Sequence, residues 1–102
     1  MTPLDSHIVT RSRLTIPSDP PEEVEVTWRE VRSSNVRRVG WDNADNLYVI
    51  YHDKPDTVFA YMGVTRQRAI AAAKAESTGS YINQVIKPHH EFVSFEIGGT
   101  DG

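Results

Sequence analysis

The stretch SNVRRVGWDNADNLYVIYHDKPDTVFAYMGV, residues 34–64, constrains the fold more than any other part of the chain. It reads as three β-prone runs separated by two groups of polar turn formers. Asp42 and the segment Asn43 to Asn46 part the first run from the second, and HDKPD, with Pro55 and Asp56, parts the second from the third. An antiparallel three-stranded meander is expected. In the second run Leu47, Val49 and Tyr51 share one face while Tyr48 and Ile50 share the other. Neither face is polar, so both should be covered. In the third run Phe59 and Tyr61 point one way, and Val58, Ala60 and Met62 the other.

A helix is expected next. Thr65 suits the N-cap, RQRAIAAAKAEST is rich in alanine, and Gly79 suits the left-handed position after the last turn. Ile70, Ala73 and Ser77 would lie along one side, flanked by Ala69 and Ala72, giving a shallow face that sits close to a sheet. Before the meander come a β-like run from His7 to Ile16, a break at Pro17, Pro20 and Pro21, and an alternation at Val24, Val26 and Trp28. After it, Val93, Phe95 and Ile97 alternate ahead of the tail GGTDG. The expected fold class is α+β: a small antiparallel β-sheet, the meander plus flanking strands, packed on one main α-helix. The expected organisation is an N-terminal extension over 1–30, a core domain over 31–88, and a C-terminal strand and tail over 89–102.

A chain of 102 residues holds one domain. At this size a monomer buries only about 60–70% of its unfolded surface, which makes a homo-oligomer the expected state. No run of about 18 apolar residues and no basic segment leading into an apolar stretch is present, so neither a membrane span nor a removed signal is expected. Without cysteine there are no disulfides or thiolate metal sites, which fits the cytoplasm. The net charge of −3 hides an uneven distribution: residues 26–90 carry +3, and the segments before and after carry −3 each. A middle this weakly basic offers a patch for phosphate, not the broad stripe that long nucleic acid prefers.

Several residues are candidates for binding. Arg66 and Arg68 stand in the first helical turn, where the macrodipole disfavours cations; with the free N–H groups there they would suit a phosphate or carboxylate. The alternative is that they are solvated or pair with Asp42, Asp45 or Asp56. Tyr61, with Phe59, could stack a base, although aromatics at period two more often pack a core. Beyond Gly79, the residues Tyr81, Asn83 and Lys87 are expected to lie near one another. Asn83 could equally bond to the carbonyls of a helix end, and Lys87 could join Arg37 and Arg38 in a basic patch. The pair His89 and His90 lacks partners at ligand spacing, so no metal is expected. No Gly-rich phosphate loop and no nucleophile with a paired base can be read, so neither catalysis nor a cofactor is expected.

Taken together, Ser34, Asn35 and Val36, then Gly40, Trp41 and Asp42, then Phe59 and Tyr61, then Ser77, Gly79, Tyr81, Asn83, Ile86 and Lys87 resemble the pattern of the KTSC domain, a family named for its place at the C-terminus of some lysyl-tRNA synthetases and also found as free-standing bacterial and phage proteins. The resemblance spans about residues 31–88. It departs at Thr65, where the family generally has proline, and at Ala69, Ala72 and Ala73, where it has bulkier residues. The resemblance implies no established activity, with RNA binding as the usual suggestion for the family. Joined to the weak net charge of the middle, the reading is a module for a phosphate-bearing ligand, RNA or a small nucleotide, such as a phage-type protein capturing a nucleotide signal. The alternative is a protein-interaction or assembly module, such as a phage structural or host-factor-binding protein, with the flanking strands crossing a subunit boundary.

Overall fold

The computed structural model describes residues 9–97. Six strands form one antiparallel sheet in chain order: β1 (Val9–Ile16), β2 (Glu22–Glu30), β3 (Val36–Trp41), β4 (Asn46–Tyr51), β5 (Lys54–Met62) and β6 (Phe92–Glu96). Between β5 and β6 lie α1 (Arg66–Lys74) and α2 (Thr78–Tyr81), the latter running into a wider π-type turn over Ile82–Ile86. The meander over β3 to β5 is as the sequence indicates, and the flanking alternations become β1, β2 and β6 of the same sheet. His7, Ile8 and the GGTDG tail lie outside the described residues.

The fold class differs from the α+β expectation. The sheet curls into a half-barrel, and helix is confined to short segments, so no single main helix carries the packing. Two cores result. On the convex face Val36, Val39, Trp41, Leu47, Val49 and Tyr61 pack with Val64, Ala69, Ala73, Ile82 and Ile86 from the helical crossover. On the concave face Leu14, Val26, Trp28, Tyr48, Ile50, Val58, Ala60 and Phe95 pack with one another. Both faces of β4 are covered as expected, but the cover over Tyr48 and Ile50 is the rest of the curled sheet. Side chains from β1, β2, β5 and β6 meet there because strand twist, accumulated over six strands, brings the two ends of the sheet around.

The helix also stops earlier than its alanine content suggests. Thr65 is the N-cap, accepting from the Arg68 N–H at 3.2 Å, but α1 ends at Lys74 and Ala75 is extended. Ser77 then caps a new helix, its hydroxyl accepting from the Ser80 N–H at 3.3 Å, and the buried Thr78 hydroxyl donates to the Ala72 carbonyl at 2.9 Å. Hydroxyl residues offer the backbone such alternatives to a continuing helix, and two adjacent ones take the break. Gly79 therefore does not end a helix in the left-handed region; it lies inside α2.

Two turns fix the meander. Asp42 Oδ1 accepts from the Ala44 and Asn46 N–H groups at 2.8 and 3.1 Å, and Oδ2 accepts from the Asn46 side-chain amide at 3.0 Å and the Tyr48 hydroxyl at 2.6 Å. Burial pushes the Asp42 pKa up, but the bonds from Tyr48, Asn46 and Ala44 outweigh it and hold the carboxyl below its ordinary value. The other turn is His52–Asp53, closed by the pairing of Tyr51 with Lys54, so Pro55 and Asp56 begin β5 and do not form the turn. Pro55 is tolerated there beside a register shift, where a ladder donor is not required.

Candidate functional site

The crossover leaves a broad cleft against the sheet, about 580 Å³ in volume, at the end of the β4–β5 hairpin. Its floor is aromatic. Tyr51 meets Phe59 edge-on at 5.2 Å between ring centroids, and Phe92 of β6 lies 5.8 Å from Phe59 and 5.4 Å from Tyr61. These rings share a face because Phe59 and Tyr61 are two apart on β5, and Phe92 is the register partner of Tyr61. Phe92 is 51% exposed, so the aromatic surface opens to solvent at that rim.

Polar groups ring this floor. Lys54, from the start of β5, holds its ammonium 5.9 Å over the Phe59 ring, and Lys87, after the π-type turn, holds its own 5.9 Å over Tyr51. Ser34 and Asn35 come from the loop before β3, His52 and Asp53 from the hairpin turn, and Gly79 and Asn83 from the restarted helix. The loop is set by Ser33, whose hydroxyl accepts from the N–H groups of Asn35 and Val36, and the His52 ring bonds the Ser33 carbonyl at 3.1 Å. Gly79 of α2 faces this loop, and a Cβ there would stand 3.5 Å from the Asn35 amide nitrogen, an ordinary contact. Among the described residues the exposed side chains of Asn35, Asn83 and Lys87 have no hydrogen-bond or salt-bridge partner, so their polar ends are open to solvent or to a bound molecule.

Beneath the cleft the Tyr51 and Tyr61 hydroxyls lie 3.1 Å apart. Burial raises the pKa of both phenols. Neither is a source of charge near neutral pH; both remain hydrogen-bonding groups. The same holds for Tyr48 on the other face, raised by burial and by its bond to Asp42.

The residues singled out from sequence are thus divided. Tyr61, Asn83 and Lys87 line the cleft. Tyr81 does not; it is half-buried against the convex core. Arg66 and Arg68 are exposed at the start of α1 and away from the cleft lining, and no ion pair to Asp42, Asp45 or Asp56 forms. Arg37 is exposed at a bulge in β3. Arg38 turns to the concave side, where it pairs with Glu30 at 3.0 Å and lies 6.0 Å from the Trp28 ring. No basic patch joining them to Lys87 forms. Sequence reasoning missed Tyr51, His52, Lys54 and Phe92 as cleft residues. Only the alternation of β5 pointed toward them, since Phe92 arrives from a strand thirty residues further along.

Among the described residues no three His, Asp or Glu side chains gather as metal ligands, and no helix is long and apolar enough to cross a membrane. Residues 32–92 match the KTSC domain. The chain belongs to the KTSC domain family. No curated protein and no solved structure gives a significant match. Of the positions that carry the family resemblance, Ser34, Asn35, Phe59, Tyr61, Gly79, Asn83 and Lys87 all line the cleft, though they come from three separate parts of this KTSC chain.

Proposed function

We propose that this KTSC protein is a non-catalytic binding module whose cleft takes a small phosphate-bearing ligand, a nucleotide in preference to an RNA strand. The observation that carries the reading is the meeting of Lys54 and Lys87 over one aromatic floor, with Asn35 and Asn83 unpartnered beside them. Lysine ammoniums would neutralise phosphate, the half-exposed Phe92 would stack a base, and the two amides would read its edge. The volume of about 580 Å³ falls within the range of about 300–1,000 Å³ common to small-ligand pockets. Arg66, Arg68, Arg37 and Arg38 are scattered over other surfaces, which disfavours a track for a polynucleotide backbone. Asp53 at the rim opposes a highly charged ligand and favours one with few phosphates. Such a ligand would be met in the cytoplasm, where a bacterial or phage protein of this kind would capture it as a signal.

The test is calorimetric titration at low salt with the four nucleoside 5′-monophosphates, their nucleosides, inorganic phosphate and a short oligonucleotide. Binding of a monophosphate, lost when Lys54 and Lys87 are both changed to Ala and weakly dependent on salt, supports the reading. Steeply salt-dependent binding of the oligonucleotide alone would replace the nucleotide with RNA.

A second reading, assembly with another protein or another copy of the chain, is favoured by β6, the outermost strand on that side among the described residues. Phe92, Val93 and Ile97 are exposed there, with Met62 nearby at the end of β5. Exposed edge strands are templates for pairing. Light scattering across a concentration series tests it; a monomer at every concentration removes the homo-oligomeric form.

A further inference from the structure

Two phenols that share one hydrogen bond have two protons between them, and one proton is left over. Tyr51 and Tyr61 form such a pair, 3.1 Å apart, and which of them donates decides where the spare proton points. Tyr61 is 1% exposed and its hydroxyl has no other partner among the described residues. If Tyr51 donated, the Tyr61 proton would be left without an acceptor among the described residues at the nearly closed base of the cleft, which buried hydroxyls avoid. The arrangement with Tyr61 donating to Tyr51 is therefore favoured. The half-buried Tyr51 is left with its own O–H free for the cleft, whose lining includes Lys87, the ammonium of which lies 5.9 Å from the Tyr51 ring centroid. The opposite senses of the hydrogen-bond contributions agree: the shared bond holds the Tyr61 proton on and eases the loss of the Tyr51 proton.

We propose that Tyr51 is a dedicated hydrogen-bond donor of the cleft, fixed in that role by Tyr61, and that it selects a ligand presenting an acceptor oxygen of a phosphate next to Lys87. The inference rests on the phosphate-ligand reading of the cleft and adds to it a polarity: at this point the site gives a proton and has no lone pair aimed to receive one. A free hydroxyl rotates to suit either a donor or an acceptor, whereas one already accepting from a buried neighbour is biased toward donating. Tyr61 is then a positioning residue acting through Tyr51.

The experiment compares Tyr51→Phe and Tyr61→Phe with the wild-type protein, using the tightest-binding of the four nucleoside 5′-monophosphates as probe and amide spectra to confirm that each variant keeps the fold. Losing a donor to a charged oxygen should weaken binding in Tyr51→Phe by about tenfold or more. Tyr61→Phe keeps the Tyr51 proton and should lose less than about threefold, the part due to freed rotation. A ligand-independent readout follows the ring carbon bearing each hydroxyl through an alkaline NMR titration: Tyr51 should ionise before Tyr61. Unchanged affinity in Tyr51→Phe overturns this inference and leaves the phosphate reading standing, as does Tyr61 ionising first. If the wild-type protein binds none of the four probes, the phosphate reading falls and this inference with it.

Discussion

Gly40→Ala is the substitution whose effect can be worked most directly from the geometry. Gly40 sits in β3 opposite Trp28 of β2 and Tyr48 of β4. A Cβ built there would lie 2.7 Å from Val26 Cγ1 and 2.8 Å from Trp28 Cε3, against an ordinary contact of 3.4–4 Å. Neither neighbour can easily withdraw. Val26 is fully buried, and Trp28 is held by its indole N–H donating to the Ser12 hydroxyl at 3.1 Å, with Arg38 over the ring. Overpacking of this kind costs about 1–3 kcal/mol. Alanine also restricts the unfolded chain, which returns about 0.4–1 kcal/mol. The net expectation is a loss of about 1–2 kcal/mol, and for a domain this small each kcal/mol lowers Tm by roughly 4–8 °C. Urea unfolding should show a lower midpoint with an unchanged slope, since the surface exposed on unfolding is the same. Repeating the change in a Trp28→Phe background, where the offending ring edge is cut back, should shrink the penalty. A Gly40→Ala protein as stable as wild type, or a penalty indifferent to Trp28→Phe, would refute the argument that the indole occupies the space the glycine leaves.

The remaining expectations follow from the polar contacts. Because the folded-state pKa of Asp42 is depressed, its contribution to stability is complete above the unfolded value near 3.8 and is lost as pH falls through the lower folded value; Asp42→Asn should flatten that part of an acid-unfolding profile. The phenols of Tyr48, Tyr51 and Tyr61 are shifted the other way, so their contribution is complete below about pH 10 and should fall as pH rises beyond it, seen as a declining Tm with the tyrosine absorbance change delayed until unfolding. Thr78→Val removes the buried bond to the Ala72 carbonyl and should cost about 1 kcal/mol in chemical denaturation. Lys87→Ala lies over a ring at the cleft rim without an ion-pair partner, so it should leave Tm within about 2 °C while weakening nucleotide binding about tenfold.

What could be read from the chain was what short-range chemistry decides. The alternations in β4 and β5, the turn at Asp42 and the N-cap at Thr65 are local, and each is where the sequence puts it. The curl of the sheet was not legible, because it depends on Leu14 and Phe95, over eighty residues apart, reaching one core. An apolar second face on β4 signals that something covers it and cannot say whether the cover is a helix or the sheet itself. The helix break was misread for another reason. Alanine propensity over 69–75 outweighed two hydroxyl residues, Ser77, which caps the restarted helix, and Thr78, whose hydroxyl donates to the Ala72 carbonyl once the helix has broken. For the cleft, Tyr61, Asn83 and Lys87 were visible as polar or aromatic residues at tight spacing, whereas Lys54 and Phe92 gain meaning only from strand register.

The break in the helix also bears on why the cleft exists. A single helix from Thr65 to Gly79 would send the next residues in one continuous direction. The stop at Ala75 and restart at Thr78 give the crossover a corner, and the π-type turn, with the Lys87 N–H bonded to the Ile82 carbonyl at 2.8 Å, widens the last turn. Ile82 and Ile86 then point into the convex core while Asn83 and Lys87, one position further round, face the hairpin. A π-type turn holds one more residue than an α-turn for the same advance and tends to occur at functional sites. The family pattern divides along the same line. Val36, Trp41 and Ile86 pack the core, Gly40 yields space to an indole and Asp42 ties a turn, so each has a duty in the fold. Asn35, Asn83 and Lys87 have none in their polar ends, yet the corner and the widened turn deliver them to one place. On the proposed reading, these are the groups that a ligand in the cleft would meet.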